Sequence, residues 1–91
     1  MPNVTLILPQ VLIESVGASR IHLKSSTLKD VFDQACSKKP ALRLHLFDNS
    51  GRLRVHLLCF HNEKKIRDIK SPDVPLKEGD EITILQAISG G

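Results

Sequence analysis

Asp80-Glu81-Ile82-Thr83-Ile84-Leu85-Gln86-Ala87-Ile88-Ser89-Gly90-Gly91 is a charged turn that runs into an alternating strand, loses its alternation after Leu85 and ends on two glycines. Side chains on an extended chain point alternately to opposite faces, so Ile82 and Ile84 are expected on the core side, with Thr83 and Leu85 on the other. Leu76-Lys77-Glu78-Gly79-Asp80 reads as the turn that delivers the chain into this strand. Beyond it the pattern stops. The sequence therefore divides into a folded domain over residues 1–85 and a flexible tail over residues 86–91. Glycine has no Cβ, so Gly90-Gly91 can lie extended in a channel too narrow for any other residue, presenting the Gly91 carboxylate as its one reactive group. The plain alternative for so short a motif is a frayed end or a cloning remnant.

A strand with one buried face needs neighbours, and the rest of the chain supplies them. Val4 to Leu8 alternates and ends at Pro9. After Val11-Leu12-Ile13 and a Gly17-Ala18-Ser19 turn, Arg20 to Lys24 alternates again, which suggests a hairpin with the first strand. Leu28, Val31, Phe32, Ala35 and Cys36 follow helical spacing on one side. Thr27 is placed to cap that helix, Asp30 stands three residues on, and Pro40 follows Lys38-Lys39 at its end. Leu42, Leu44 and Leu46 alternate with Arg43 and His45, which fits a strand or an extended packing segment. Asp48-Asn49-Ser50-Gly51 is a turn, and Leu53 to Phe60 a strongly apolar strand. Asn62-Glu63-Lys64-Lys65 is a second turn before the short Ile66-Arg67-Asp68-Ile69, and Ser71 to Pro75 is a loop. The order is strand, strand, helix, strand, short strand, strand. Its simplest solution is an α+β fold of β-grasp type: a mixed sheet of four to five strands with one main helix packed on one face.

Composition bounds the partners. A chain of 91 residues holds one domain with a single core. The net charge of +3 falls in separate short runs, Lys38-Lys39, Arg52-Leu53-Arg54 and Lys64-Lys65, and three Phe with no Trp or Tyr leave few rings to stack on bases. No nucleic-acid partner is expected. Cys36 and Cys59 are far apart among apolar residues and read as buried reduced thiols. With no leader pattern at Met1-Pro2-Asn3 and no apolar run of spanning length, a cytoplasmic protein without membrane attachment is expected.

Leu76-x-x-Gly79-Asp80-Glu81-Ile82-x-Ile84-Leu85-x-Ala87-Ile88-x-Gly90-Gly91, with Thr27-Leu28 at the helix start and Asn62 in the turn after the third strand, resembles the ubiquitin-like sulfur-carrier family. That family includes the molybdopterin synthase small subunit, the thiamin-biosynthesis sulfur carrier and the carrier of protein-bound cysteine synthesis. Pro40-Ala41-Leu42-Arg43-x-x-Leu46-x-Asp48-x-x-Gly51-x-Leu53-Arg54 is more similar to the cysteine-synthesis type than to the compact thiamin type. Two positions depart from the pattern. Gln86 stands where many relatives have proline, and His61 occupies an apolar position just before the turn asparagine.

The resemblance implies that the chain is no enzyme but a protein co-substrate. A carboxylate is a poor electrophile, so a partner of the ubiquitin-activating type would use ATP to adenylate Gly91, and a sulfur source would displace AMP to leave a thiocarboxylate. A sulfur-accepting synthase would consume it in cofactor, amino-acid or other metabolite biosynthesis, and a protease trimming the C-terminus is a further implied partner. Ala87, Ile88, Ser89 and Gly90 would thread into partner active sites, with no cofactor bound by the chain itself. An exposed apolar patch of Ile7, Leu58, Phe60 and Leu85 would dock the partner, against the alternative of packing within the monomer.

Other constellations are weaker. His56 faces opposite to Cys59 and His61 on a regular strand, which leaves two ligands where zinc needs three or four, so no metal site is assigned. Cys59 and His61 lack a third orienting group for nucleophilic catalysis. Two other functions stay open: a ubiquitin-like modifier conjugated through Gly91, and a non-catalytic β-grasp interaction domain.

Overall fold

The structure is a computed structural model and describes residues 1–66 and 75–87. Five strands form one sheet: β1 (Asn3–Ile7), β2 (Arg20–Lys24), β3 (Leu57–His61), β4 (Lys64–Ile66) and β5 (Glu81–Gln86), in the order β2-β1-β5-β3-β4. Only β1 and β5 run parallel, with Leu6 opposite Ile82, and every other pair is antiparallel. The final strand thus lies in the middle of the sheet beside the first, the mixed β-grasp arrangement expected from the order of elements.

The period of two decides the faces. Val4, Leu6, Ile21, Leu23, Leu57, Cys59, Ile82 and Ile84 are buried on one side of the sheet. Helix α2 (Leu28–Lys38) lays Leu28, Val31, Phe32, Ala35 and Cys36 into the same core. Its start is fixed as the sequence suggested: the Asp30 N–H donates to Thr27 Oγ1 at 3.2 Å, and Asp30 sits in the first turn. Ser25, fully buried, donates to Asp30 Oδ2 at 2.8 Å, which leaves that hydroxyl satisfied beneath the helix entry.

Two further helices are corrections to the sequence reading. α1 (Gln10–Val16) follows Pro9, buries Leu12 and Val16, and closes on Gly17 at φ 82, whose N–H donates to Ile13 O at 2.7 Å. α3 (Ala41–Leu46) replaces the strand or extended segment expected for Leu42 to Phe47. In a helix Leu42 and Leu46 share a face, and both are fully buried, while Leu44 turns outward at 75% exposure. The third strand is also shorter than expected. Leu53 only bridges Phe47, and the ladder begins at Leu57. Lys64 and Lys65, read as turn, already belong to β4, because the reversal needs only Asn62 and Glu63. Of the short segment after it, Ile66 ends β4, and residues 67–69 lie outside the described residues.

Candidate functional site: the open sheet face and the root of the tail

Among the described residues no helix covers the second face of the sheet. There the outward positions of three adjacent central strands line up: Ile7 of β1 is opposite Thr83 of β5, Thr83 is opposite Phe60 of β3, and Leu85 is opposite Leu58. Ile7, Leu58 and Phe60 are half-buried and Leu85 is 45% exposed. The four apolar residues singled out from the sequence therefore share one continuous surface. Arg20 of β2, opposite Ile7, and Lys65 of β4, opposite Phe60, edge it on two sides. Arg20 Nη1 lies 3.8 Å from Glu81 Oε2 in an exposed pair that adds little to stability.

β5 carries the tail. Gln86, placed in the tail by the sequence, is the last residue of the strand, because it pairs with Leu57. Ala87 N–H then donates to His56 O at 2.8 Å, so backbone pairing runs one residue past the strand. The tail positions Ile88, Ser89, Gly90 and Gly91 lie outside the described residues.

At the other end of β5 a polar clamp fixes the strand's start, and sequence reasoning missed it. Asp80 is buried, and an ionised carboxylate only accepts, so the 2.6 Å contact of its Oδ2 with His61 Nε2 makes that ring nitrogen the donor. Lys77 N–H donates to the same oxygen at 2.8 Å, and the Asn62 amide donates to Oδ1 at 3.1 Å. Asn62 also accepts from Glu81 N–H at 2.9 Å, while its own N–H donates to Glu81 O at 2.7 Å. Asn62 holds φ 56, which asparagine tolerates better than most residues, and Gly79 at φ 86 completes the turn into β5. Burial alone would raise the Asp80 carboxyl, but donation from His61, Lys77 and Asn62 draws it below the usual carboxylate range. The signal for this clamp was the departure at His61: a histidine ending an apolar strand next to a turn asparagine needs a buried acceptor.

The thiols have no part in the site. Cys36 and Cys59 are both buried and unpaired, as expected. Burial pushes Cys59 up to about 12 and raises Cys36 as well, so neither forms a thiolate near neutrality. Among the described residues no group of three or more His, Cys, Asp or Glu is placed to hold a metal ion, and no helix is long and apolar enough to cross a membrane.

The sequence profile of the ThiS family matches residues 6–91, a span that takes in the open face, the clamp and Gly90-Gly91. The chain belongs to the ThiS family. Solved structures of ubiquitin-like sulfur carriers and modifiers agree with that placement. The small archaeal modifier protein 1 of Methanosarcina acetivorans is 29% identical, with a TM-score of 0.81 over 100% of this chain and 98% of that one. CysO of Mycobacterium tuberculosis is 25% identical, with a TM-score of 0.79 over 94% of this chain and 100% of that one. CysO of Amycolatopsis orientalis, solved in complex with BexX, shares the fold at 24% identity and a TM-score of 0.78, over 97% of this chain and 99% of that one. A comparison with curated protein sequences returns no match.

Proposed function

We propose that this ThiS-family chain is a sulfur carrier whose Gly91 carboxylate is adenylated by an ATP-dependent activating enzyme and then converted to a thiocarboxylate. The observation that carries the reading is the family match running through Gly90-Gly91 on a β-grasp domain whose open face is apolar. Adenylation supplies a leaving group that a free carboxylate lacks. Hydrosulfide attacks the Gly91 carbonyl carbon and the bond to AMP breaks, leaving the thiocarboxylate directly. A persulfide donor first leaves an acyl disulfide, whose S–S bond a thiol then cleaves, and the resulting anionic sulfur is the nucleophile for a sulfur-accepting synthase. The chain contributes the acyl group, residues 87–90 to thread into the partner's active site, and a docking face of Ile7, Leu58, Phe60 and Leu85. The enzymes contribute the catalysis, and ATP is bound by the activating enzyme. A protease would be needed wherever Gly91 is followed by further residues in the cell.

Intact mass spectrometry of the protein from its own host, under thiol-protected conditions, tests this. A species heavier by the difference between sulfur and oxygen, localised to Gly91 and sensitive to alkylation, is expected. Failure to load with the host's activating enzyme, ATP and a sulfur source would sink the reading.

A second function shares the activation step: conjugation of Gly91 to lysines as a protein modifier. It is favoured by the likeness to the small archaeal modifier protein of Methanosarcina acetivorans, at 29% identity. Adducts of larger mass in host extracts, lost when Gly91 is deleted, would mark it.

A further inference from the structure

At the tail's root the molecule has a second surface that the open face does not include. α1 and α3 leave a groove of about 580 Å³ on the helix side of the sheet, lined by Leu12, Leu57, Val11, Leu44, Arg54 and Gln86, with Ser15, His45 and His56 beside them. Val11 and Leu44 are 55% and 75% exposed, an unusual use of large apolar side chains on two short helices that are otherwise anchored by Leu12, Val16, Leu42 and Leu46. Among the described residues no carboxylate lines the groove. Arg54 is held over it by donation from Nε to Leu44 O at 2.8 Å, which keeps both Nη groups available for a planar bidentate acceptor. Between Lys38 and His56 the chain carries Lys38, Lys39, Arg43, Arg52 and Arg54 against the single Asp48, an excess of four where the whole chain has three. Asp48 is already counted in that excess, and its Oδ1 accepts from Ser50 N–H, Ser50 Oγ and Arg52 N–H within its own turn.

Position gives the groove its meaning. Gln86 is part of its wall, and Ala87 is hydrogen-bonded to His56, so the groove adjoins the point where the described chain leads on toward Gly91. We propose that the groove is a second docking site, which receives an apolar side chain flanked by carboxylates on the rim of the activating enzyme's tail channel. This rests on the carrier reading and adds the chemistry of the partner's surface. The exposed valine and leucine supply contact area, and the Arg54 charge supplies orientation and repels basic rims. Nucleic acid would match the charge but not the apolar floor, and among the described lining residues it would find no Phe, Tyr or Trp ring to stack on.

The test is adenylation kinetics by pyrophosphate exchange, using the full-length chain and the activating enzyme of the same host. Leu44→Glu and Arg54→Glu are expected to raise KM by about tenfold or more with little change in kcat. Lys24→Glu, the same charge reversal at the far end of the sheet, should change it little, and raising the salt should weaken the wild type but not Arg54→Glu. Val11→Glu repeats the experiment on the other wall in case Arg54→Glu loses its fold, which circular dichroism will show. An unchanged KM in Leu44→Glu and Val11→Glu, with the wild type fully active, overturns the groove and leaves the carrier reading standing. A wild type that is not adenylated at all overturns both. Loss of binding to a single-stranded RNA probe in Arg54→Glu, with normal kinetics, would reassign the surface to nucleic acid.

Discussion

Asp80 is a buried carboxylate that stays ionised because three donors, from the end of β3, the turn after it and the turn before β5, converge on it, and this ties the β3–β4 turn to the residue just before the tail-bearing strand. Removing the acceptor leaves those donors to find water in a confined place, so Asp80→Ala should cost roughly 2–4 kcal/mol by urea denaturation. The pH dependence follows from the direction of the shift. The folded-state value lies below the unfolded carboxyl at about 3.9, so the group's stabilisation is complete above that value and is lost as pH falls through the lower, folded one. The stability gap between the wild type and Asp80→Asn should therefore be level near neutrality and shrink below about pH 4; a gap that stays constant into acid would show that Asp80 is not the titrating group. The thiols make a separate residue-scale prediction. With Cys59 at about 12 and Cys36 also raised by burial, iodoacetamide at pH 8 should leave both unmodified in the native protein and label both in urea.

Among the elements, α2 and β5 were legible because each carries a long run of one period. Five apolar residues of α2 follow helical spacing behind a Thr27 cap, and Ile82 and Ile84 alternate cleanly with Thr83 and Leu85. α1 and α3 were not, and the reason is length: at 7 and 6 residues they hold too few positions for a 3.6 period to declare itself. Leu42, Leu44 and Leu46 satisfy a strand's alternation as well as a helix in which Leu42 and Leu46 share a face, and only tertiary packing chooses between them. Substitution can confirm that choice. Leu46→Ala should cost about 2–5 kcal/mol and Leu44→Ala less than about 0.5, whereas a strand would make the three leucines equivalent. The open-face residues of the candidate site were legible for the same reason as β5. The clamp and the groove were not, because each joins residues that are distant in sequence, His61 with Asp80 in one and Val11 with Leu44 in the other.

At the scale of the whole molecule, the open apolar face includes the strand from which the chain continues toward Gly91, so the proposed docking and the proposed reaction draw on different residues. Leu85 stands on the open face opposite Leu58, and one residue later Gln86 ends the strand that leads on toward Gly91. A carrier built this way uses the domain for affinity and the tail for reaction, and the two should be separable by experiment. Deleting Gly91 should abolish sulfur loading while leaving the Kd for the activating enzyme nearly unchanged, because the face and the groove remain intact. Leu58→Asp and Leu85→Asp should do the reverse: Kd rises roughly tenfold or more, and loading recovers at saturating carrier because the reactive end is unaltered. Both substitutions fall on partly exposed positions, so melting temperature should change little and serves as the control on folding. A Gly91 deletion that loses binding as severely as Leu85→Asp would mean that the tail itself supplies most of the affinity. The exposed apolar face would then need another explanation, for which a modifier's recognition by downstream partners is the first to test.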